Sequence, residues 1–349
     1  DRVPAFAAVD EAVGMIQRSR GVGLSRFANA LLRRLSEKVA EKGRPSSLDA
    51  LRSSAPKWLL DTLSLSLGSP EQALQFLDAG PWPPPTCIRV QSPEDRPKWL
   101  QSLSAYNPAA EIKPGAVSPL CICLRGAGRS SDWPGHGFAW TIQEEGSQVL
   151  GLLVGARPGE KVLDACAGRG NKSSLLSQIL GESGKLCAAD LHQNKLDVLI
   201  DNLATLGLPV HATYAVDWSV GPGDVPDDFD RVLVDSPCSG IGTIRRRPDL
   251  LSRDIQSSLS DLPKLQAAIL EKAATRCRKG GRVIYSVCSV LRQEAEDVVA
   301  AVLSRNSWLK PAPFDAPSLS DFVGDRTSLR LLPNEHGTDG YFIASLIRE

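Results

Sequence analysis

From residue 145 onward, short runs of apolar, largely β-branched residues alternate with segments whose apolar positions recur at helical spacing. That alternation restricts the chain to a parallel sheet with helical crossovers. The spacing predicts helix 148–154, strand 161–163, helix 172–180, strand 185–189, helix 194–206, strand 210–216, strand 231–234, helix 264–277 and strand 282–287, the last entered through Lys279-Gly280-Gly281. Three successive strands run into an aspartate: Asp190, Asp217 and Asp235. Packing gives no reason for a carboxylate to close strand after strand. Open α/β sheets hold their ligands at these carboxyl ends, so the acids mark the functional edge.

The segments before residue 145 read differently. Val9, Ala12, Val13 and Ile16 fall at helical spacing, and after Gly21-Val22-Gly23 the pattern resumes at Phe27, Leu31, Leu32 and Leu35, with Arg33 and Arg34 on the polar side. A helical packing module is favoured there over a direct RNA-binding role. A linker is expected at 44–47. Pro56 opens a further helix or pair carrying Trp58, Leu59, Leu63 and Leu67, which runs to the break Pro81-Trp82-Pro83-Pro84-Pro85. Two strand-like runs, 87–90 and 119–124, flank a helical 99–103 and predict a small α+β module. The expected domains are therefore 1–45, 46–144 and 145–349.

Composition narrows the class. A chain of 349 residues with 42% hydrophobic and 23% charged residues is that of an ordinary soluble protein. No apolar run approaches the roughly 20 residues of a membrane helix, and the first residues lack the layout of a signal peptide, so a cytoplasmic protein is expected. The cysteines at 87, 121, 123, 166, 187, 238, 277 and 288 lack the spacing of a disulfide scaffold and read as reduced thiols. The four histidines stand far apart and no CxxC occurs, so no metal site is expected. Net charge is zero, yet 240–282 holds ten Lys/Arg against four Asp/Glu, a patch able to track phosphates.

The densest chemistry lies in 229–250. Val232-Leu233-Val234 reads as a strand buried on both faces and Asp235 ends it. Pro237-Cys238 then stops the ladder, Ser239, Gly240 and Gly242 turn the chain, and Arg245-Arg246-Arg247 add a cationic cluster. Upstream, the first strand meets its helix through Cys166, Ala167, Gly168, Gly170 and Lys172, where glycines admit a ligand to the backbone and the helix start offers free N–H groups. Asp190 is positioned for a ribose diol and Asp217 for an adenine amino group, which suits a nicotinamide cofactor or S-adenosylmethionine. Tyr285-Ser286-Val287-Cys288-Ser289 puts a second thiol at another strand end. Two such thiols suit a covalent nucleophile with a proton handler and have no place in hydride transfer.

Three motifs carry a resemblance. DSPCSGIGTIRRRPD at 235–249 resembles DAPCSGxGxxRRxPD, YSVCSVLRQEAEDVV at 285–299 resembles YSTCSxxxxENExVV, and DGYFIASLIR at 339–348 resembles DGFFxAxLxR. All belong to the Sun/Fmu (RsmB-like) family of RNA cytosine-5 methyltransferases. The resemblance implies a class I, Rossmann-like α/β sheet binding S-adenosylmethionine, preceded by a helical NusB-like segment at 1–45 and a small α+β RNA-binding module at 46–144. It implies methylation of cytosine carbon 5 in RNA, 16S small-subunit ribosomal RNA above others, by a monomer. Cys288 would be the nucleophile and Cys238 the residue assisting product release, with the exchanged assignment as the alternative. Asp235 would hydrogen-bond the base near N3 and Lys172 would fix that aspartate or the loop. Arg245, Arg246 and Arg247 would hold flanking phosphates. Cys166, Ala167, Gly168, Gly170, Lys172, Asp190, Asp217 and Asp235 would bind the cofactor. Two stretches depart from the family. Cys166-Ala167-Gly168-Arg169-Gly170-Asn171-Lys172-Ser173 stands where it has CAAPGGKT, and Gln143-Glu144-Glu145-Gly146-Ser147 where it has QDEAS. The altered loop leaves a second reading, a catalytically weak RNA-binding factor in ribosome assembly on the same scaffold.

Overall fold

The structure, a computed structural model, describes residues 4–42, 46–79 and 84–349. Part of the expected linker at 44–47 and most of the proline break at 81–85 lie outside the described residues. The chain divides into two units, Asp1–Ser54 and Ala55–Glu349. The first holds α1 (Ala5–Arg20), α2 (Val22–Lys42) and α3 (Ser47–Ser54). The break expected at 45 thus falls inside this unit. Phe27, Leu31 and Leu35, the apolar stripe of α2, are exposed.

The second unit begins with a helical pair, α4 (Lys57–Leu67) and α5 (Pro70–Leu77). A Ser69 cap on the N–H of Gln72 and Pro70 in the first turn start α5 cleanly. Next comes a four-stranded antiparallel sheet with order β2-β3-β1-β4. Its strands are β1 (Thr86–Val90), β2 (Glu111–Pro114), β3 (Cys121–Arg125) and β4 (Trp140–Ile142), with α6 (Arg96–Tyr106) between β1 and β2. Period-two alternation sends Ile88, Val90, Ile122 and Leu124 into the main apolar cluster. Cys87, Cys121 and Cys123 form a buried cluster of their own on the other face.

The large sheet follows the alternation read from the sequence. Its elements are α7 (Glu145–Leu153), β5 (Lys161–Asp164), α8 (Asn171–Leu180), β6 (Lys185–Asp190), α9 (Gln193–Thr205), β7 (Ala212–Ala215), β8 (Phe229–Asp235), α10 (Ile255–Ser258), α11 (Leu262–Ala274) and β9 (Cys277–Val287). They are followed by α12 (Glu296–Arg305), β10 (Leu309–Pro311), α13 (Ser320–Val323), β11 (Ser328–Leu331), α14 (Pro333–His336) and β12 (Tyr341–Arg348). The order is β10-β12-β9-β8-β5-β6-β7, with β11 beside β12. Strands β5 to β9 are mutually parallel and β12 runs antiparallel to β9. This is a Rossmann-like mixed α/β sheet. Both faces are covered: along β5, Val162 enters one apolar cluster and Leu163 the other. The expected turn at 279–281 lies within β9 instead. Between paired positions β8 advances from Phe229 to Arg231 while β9 advances from Cys277 to Arg282, a bulge that lets the ladder resume. Among the described residues no helix is long and apolar enough to cross a membrane.

Candidate active site at the strand ends

Strand β5 ends at Asp164, and the loop to α8 turns on Gly170, whose φ of 87° belongs to the left-handed region. A Cβ there would also lie 2.8 Å from Leu199, so both conformation and space call for glycine. Asp190 at the end of β6 holds this loop from across the crevice. Its Oδ2 accepts from the Gly168 N–H at 3.0 Å, its Oδ1 accepts from the His192 N–H at 2.9 Å, and Lys195 Nζ lies 3.3 Å away. Asp217 is exposed, and hydrogen bonds from the Ser219 hydroxyl and N–H hold its carboxyl below the usual range.

These ends enclose a cavity of about 270 Å³ walled by Cys166, Gly168, Asp190, Asp217, Asp235 and Trp218 among others. Ala167, Gly170 and Lys172 are not among the residues that line it. The substituted Arg169 and Asn171 are exposed and do not line it. Sequence reasoning missed Leu191, His192, Lys195 and Trp218, whose only signal was their closeness to the strand-end acids. It also passed over Asp164, a further strand-end aspartate, which is buried and accepts from the Ser173 hydroxyl at 2.7 Å. Burial pushes the Asp164 carboxyl up to about 6.

The thiol end of the site follows from strand pairing. Asp235 pairs with Ser286 in the parallel register of β8 and β9, so the loops beyond them leave side by side. Cys238 Sγ and Cys288 Sγ come to 3.2 Å, both half-buried. The hydrogen bond with Cys288 and burial push the Cys238 thiol well up. Lys172 Nζ reaches Asp235 Oδ2 at 2.6 Å. Burial works against the Lys172 charge, but the Asp235 carboxylate prevails and raises it above the ordinary lysine value.

Glu294, fully buried, ties the two loops together. It accepts from the Ser239 N–H at 2.8 Å, from the Ser239 hydroxyl and from Gln266 Nε2 at 2.9 Å, while its own carbonyl accepts from the Tyr285 hydroxyl at 2.7 Å. Its place in the motif at 285–299 was the signal available for it. Helices α4 and α5 press on the same loops: Leu59, Leu63 and Phe76 share an apolar cluster with Ile241, Val290 and Leu291.

The three arginines part company. Arg245 Nε lies 2.6 Å from Asp339 Oδ1 and Arg246 Nε 2.9 Å from Asp339 Oδ2, and Arg246 also donates to the Pro85 carbonyl. The Asp339 N–H donates to Glu144 at 2.8 Å. Burial and the neighbouring Asp339 push the Glu144 carboxyl up to about 7. Of the three, Arg247 is the exposed one. Gly242 lies against the 339–341 segment so closely that a Cβ would sit 1.9 Å from the Gly340 carbonyl.

Residues 152–347 match the family described as 16S rRNA methyltransferase RsmB/F. Similar full-length proteins include the ribosomal RNA small subunit methyltransferase B of Yersinia enterocolitica, 31% identical over 99% of this chain and 79% of that protein. The enzyme of that description from an Enterobacter species is 30% identical over 100% of this chain and 79% of its own length. Among solved structures, a methyltransferase homolog from Pyrococcus horikoshii superimposes with a TM-score of 0.68 at 26% identity, covering 88% of this chain and all of that one.

Proposed function

The chain belongs to the RsmB/F family of 16S rRNA methyltransferases, and from that membership we propose that it methylates carbon 5 of a cytosine in small-subunit ribosomal RNA through a covalent cysteine adduct at carbon 6. The reading rests on one observation above all, the 3.2 Å approach of Cys238 and Cys288 at the ends of adjacent parallel strands. Two thiols this close, beside a carboxylate paired with a half-buried ammonium, suit a reaction in which one sulfur adds to a base and the other assists its departure.

When bound, S-adenosylmethionine supplies an electrophilic sulfonium methyl. The residues lining the cavity fit it: the Asp190 carboxylate would accept from a ribose diol and Asp217 from an adenine amino group, with Cys166 and Gly168 beside them. Carbon 5 of cytosine is a weak nucleophile, so the chain's residues must enrich it first. The Cys288 thiolate adds to carbon 6, and the electrons released make carbon 5 enamine-like. Asp235 hydrogen-bonds the base near N3 and favours the adduct over the free base, a differential stabilisation. Lys172 keeps that carboxylate oriented. After methyl transfer Cys238, as a thiolate, takes the proton from carbon 5, the carbon 5–carbon 6 double bond re-forms, and the carbon–sulfur bond breaks with its electron pair returning to Cys288 as thiolate. The target base must be unstacked to enter. In this proposal α1 to α3 are the later part of a NusB-like domain, and the small sheet with α6 is the RNA-binding module.

Covalent trapping tests the assignment. Incubated with 16S RNA and S-adenosylmethionine, Cys238→Ala should accumulate a protein–RNA adduct that survives a denaturing gel, and Cys288→Ala should form none. The opposite pattern exchanges the two roles. Bisulfite sequencing of the RNA product reads the position, and the absence of any protected cytosine with active protein would overturn the carbon-5 reading.

A further inference from the structure

A second group of thiols lies outside the methyl-transfer site. The antiparallel register sets Cys87 of β1 directly opposite Cys123 of β3, and Cys121 follows two residues away on the same face. Their sulfurs converge: Cys87 Sγ to Cys123 Sγ is 3.3 Å, Cys121 Sγ to Cys123 Sγ is 3.7 Å, and all three lie within 4.8 Å of one another. A tetrahedral zinc ion with Zn–S bonds of about 2.3 Å spaces its thiolates by about 3.8 Å, so the cluster needs only small adjustment to hold one.

A carboxylate stands beside the three sulfurs. Glu145, in the first turn of α7, is 2% exposed. Its Oε1 accepts from the Val117 and Ser118 N–H groups at 2.7 and 3.0 Å, which fixes the side chain, while its Oε2 lies 3.9 Å from Cys123 Sγ. It has no Lys or Arg partner in an ion pair among the described residues. A buried carboxylate without a cation is costly, and a divalent ion beside it removes that cost.

We propose that Cys87, Cys121, Cys123 and Glu145 form a structural zinc site joining the small antiparallel sheet to the first helix of the catalytic sheet. The sequence reading expected no metal because the ligands form neither CxxC nor a histidine cluster. They come instead from a CxC on one strand, a cysteine on its neighbour and a glutamate opening a helix. Three thiolates and one oxygen select zinc over magnesium or calcium, and the closed, buried surroundings suit a structural ion.

Cobalt tests this without reference to methyl transfer. Titrated under reducing conditions with Co²⁺ alone, the full chain should bind one equivalent, show a thiolate-to-cobalt charge-transfer band with tetrahedral ligand-field bands, and release the cobalt to Zn²⁺. Cys121→Ser should weaken binding by roughly 100-fold or more. Glu145→Gln should keep the charge-transfer band and shift the ligand-field bands. A chain carrying Cys238→Ser and Cys288→Ser should bind as the parent does. If Cys121→Ser fails to fold, the last two proteins still decide. Folded protein with no stoichiometric cobalt, a Cys87–Cys123 disulfide in place of the ion, or loss of binding in the Cys238/Cys288 protein would each overturn the proposal.

Discussion

Lys172 shows how one side chain links cofactor loop and base site. It starts from the turn after β5 and ends 2.6 Å from Asp235 at the end of β8. Lys172→Met should lower kcat by roughly 100-fold with little change in S-adenosylmethionine affinity, because in the proposed mechanism the acid it orients acts on the base. Steady-state kinetics with calorimetry separates the two, and a loss confined to cofactor binding would contradict it. Asp164 yields a pH prediction. Its carboxyl stands at about 6 through burial, above its ordinary value of 3.8. The folded chain therefore holds a proton that the unfolded chain releases, and stability falls as pH rises through that window. Asp164→Asn cannot ionise, so its stability relative to the parent should rise between about pH 4 and about pH 7. Urea denaturation at several pH values measures it. A constant difference would mean that Asp164 ionises freely in the fold.

At the level of elements, the two thiol loops are held from behind by Glu294 and from the side by α4 and α5. Removing a buried carboxylate that accepts several hydrogen bonds leaves their donors unsatisfied, a cost of about 2–4 kcal/mol. Glu294→Ala should therefore lower stability by about that amount and depress kcat more than KM, with partial rescue in Glu294→Gln. Urea denaturation and kinetics on one preparation check both halves. The pair α4 and α5 was legible from Pro56 and its leucines. Its contact with loops roughly 165 to 230 residues later was not, because amphipathic spacing states that a face must be buried and leaves open against what.

Across the whole molecule, three motifs far apart in sequence meet. Asp339, which opens the last of them, takes the first two arginines of the first. Arg245→Ala should therefore act on stability, lowering the Tm. Arg247→Ala should leave the Tm in place while weakening RNA binding and reducing its salt dependence by about one charge. Thermal melts and binding isotherms at several salt concentrations distinguish them, and equal effects on RNA from both would return Arg245 to the phosphate-binding set. The sequence by itself determined the alternation of strand and helix, the acids at the strand ends and the motifs carrying the two thiols, since each is a property of neighbouring residues. Only the tertiary structure decided which thiols meet, which arginines stay exposed, and that Cys87, Cys121 and Cys123 converge beside Glu145. Those outcomes depend on register and pairing between strands and helices remote in the chain, where a shift of one residue would turn every side chain to the other face.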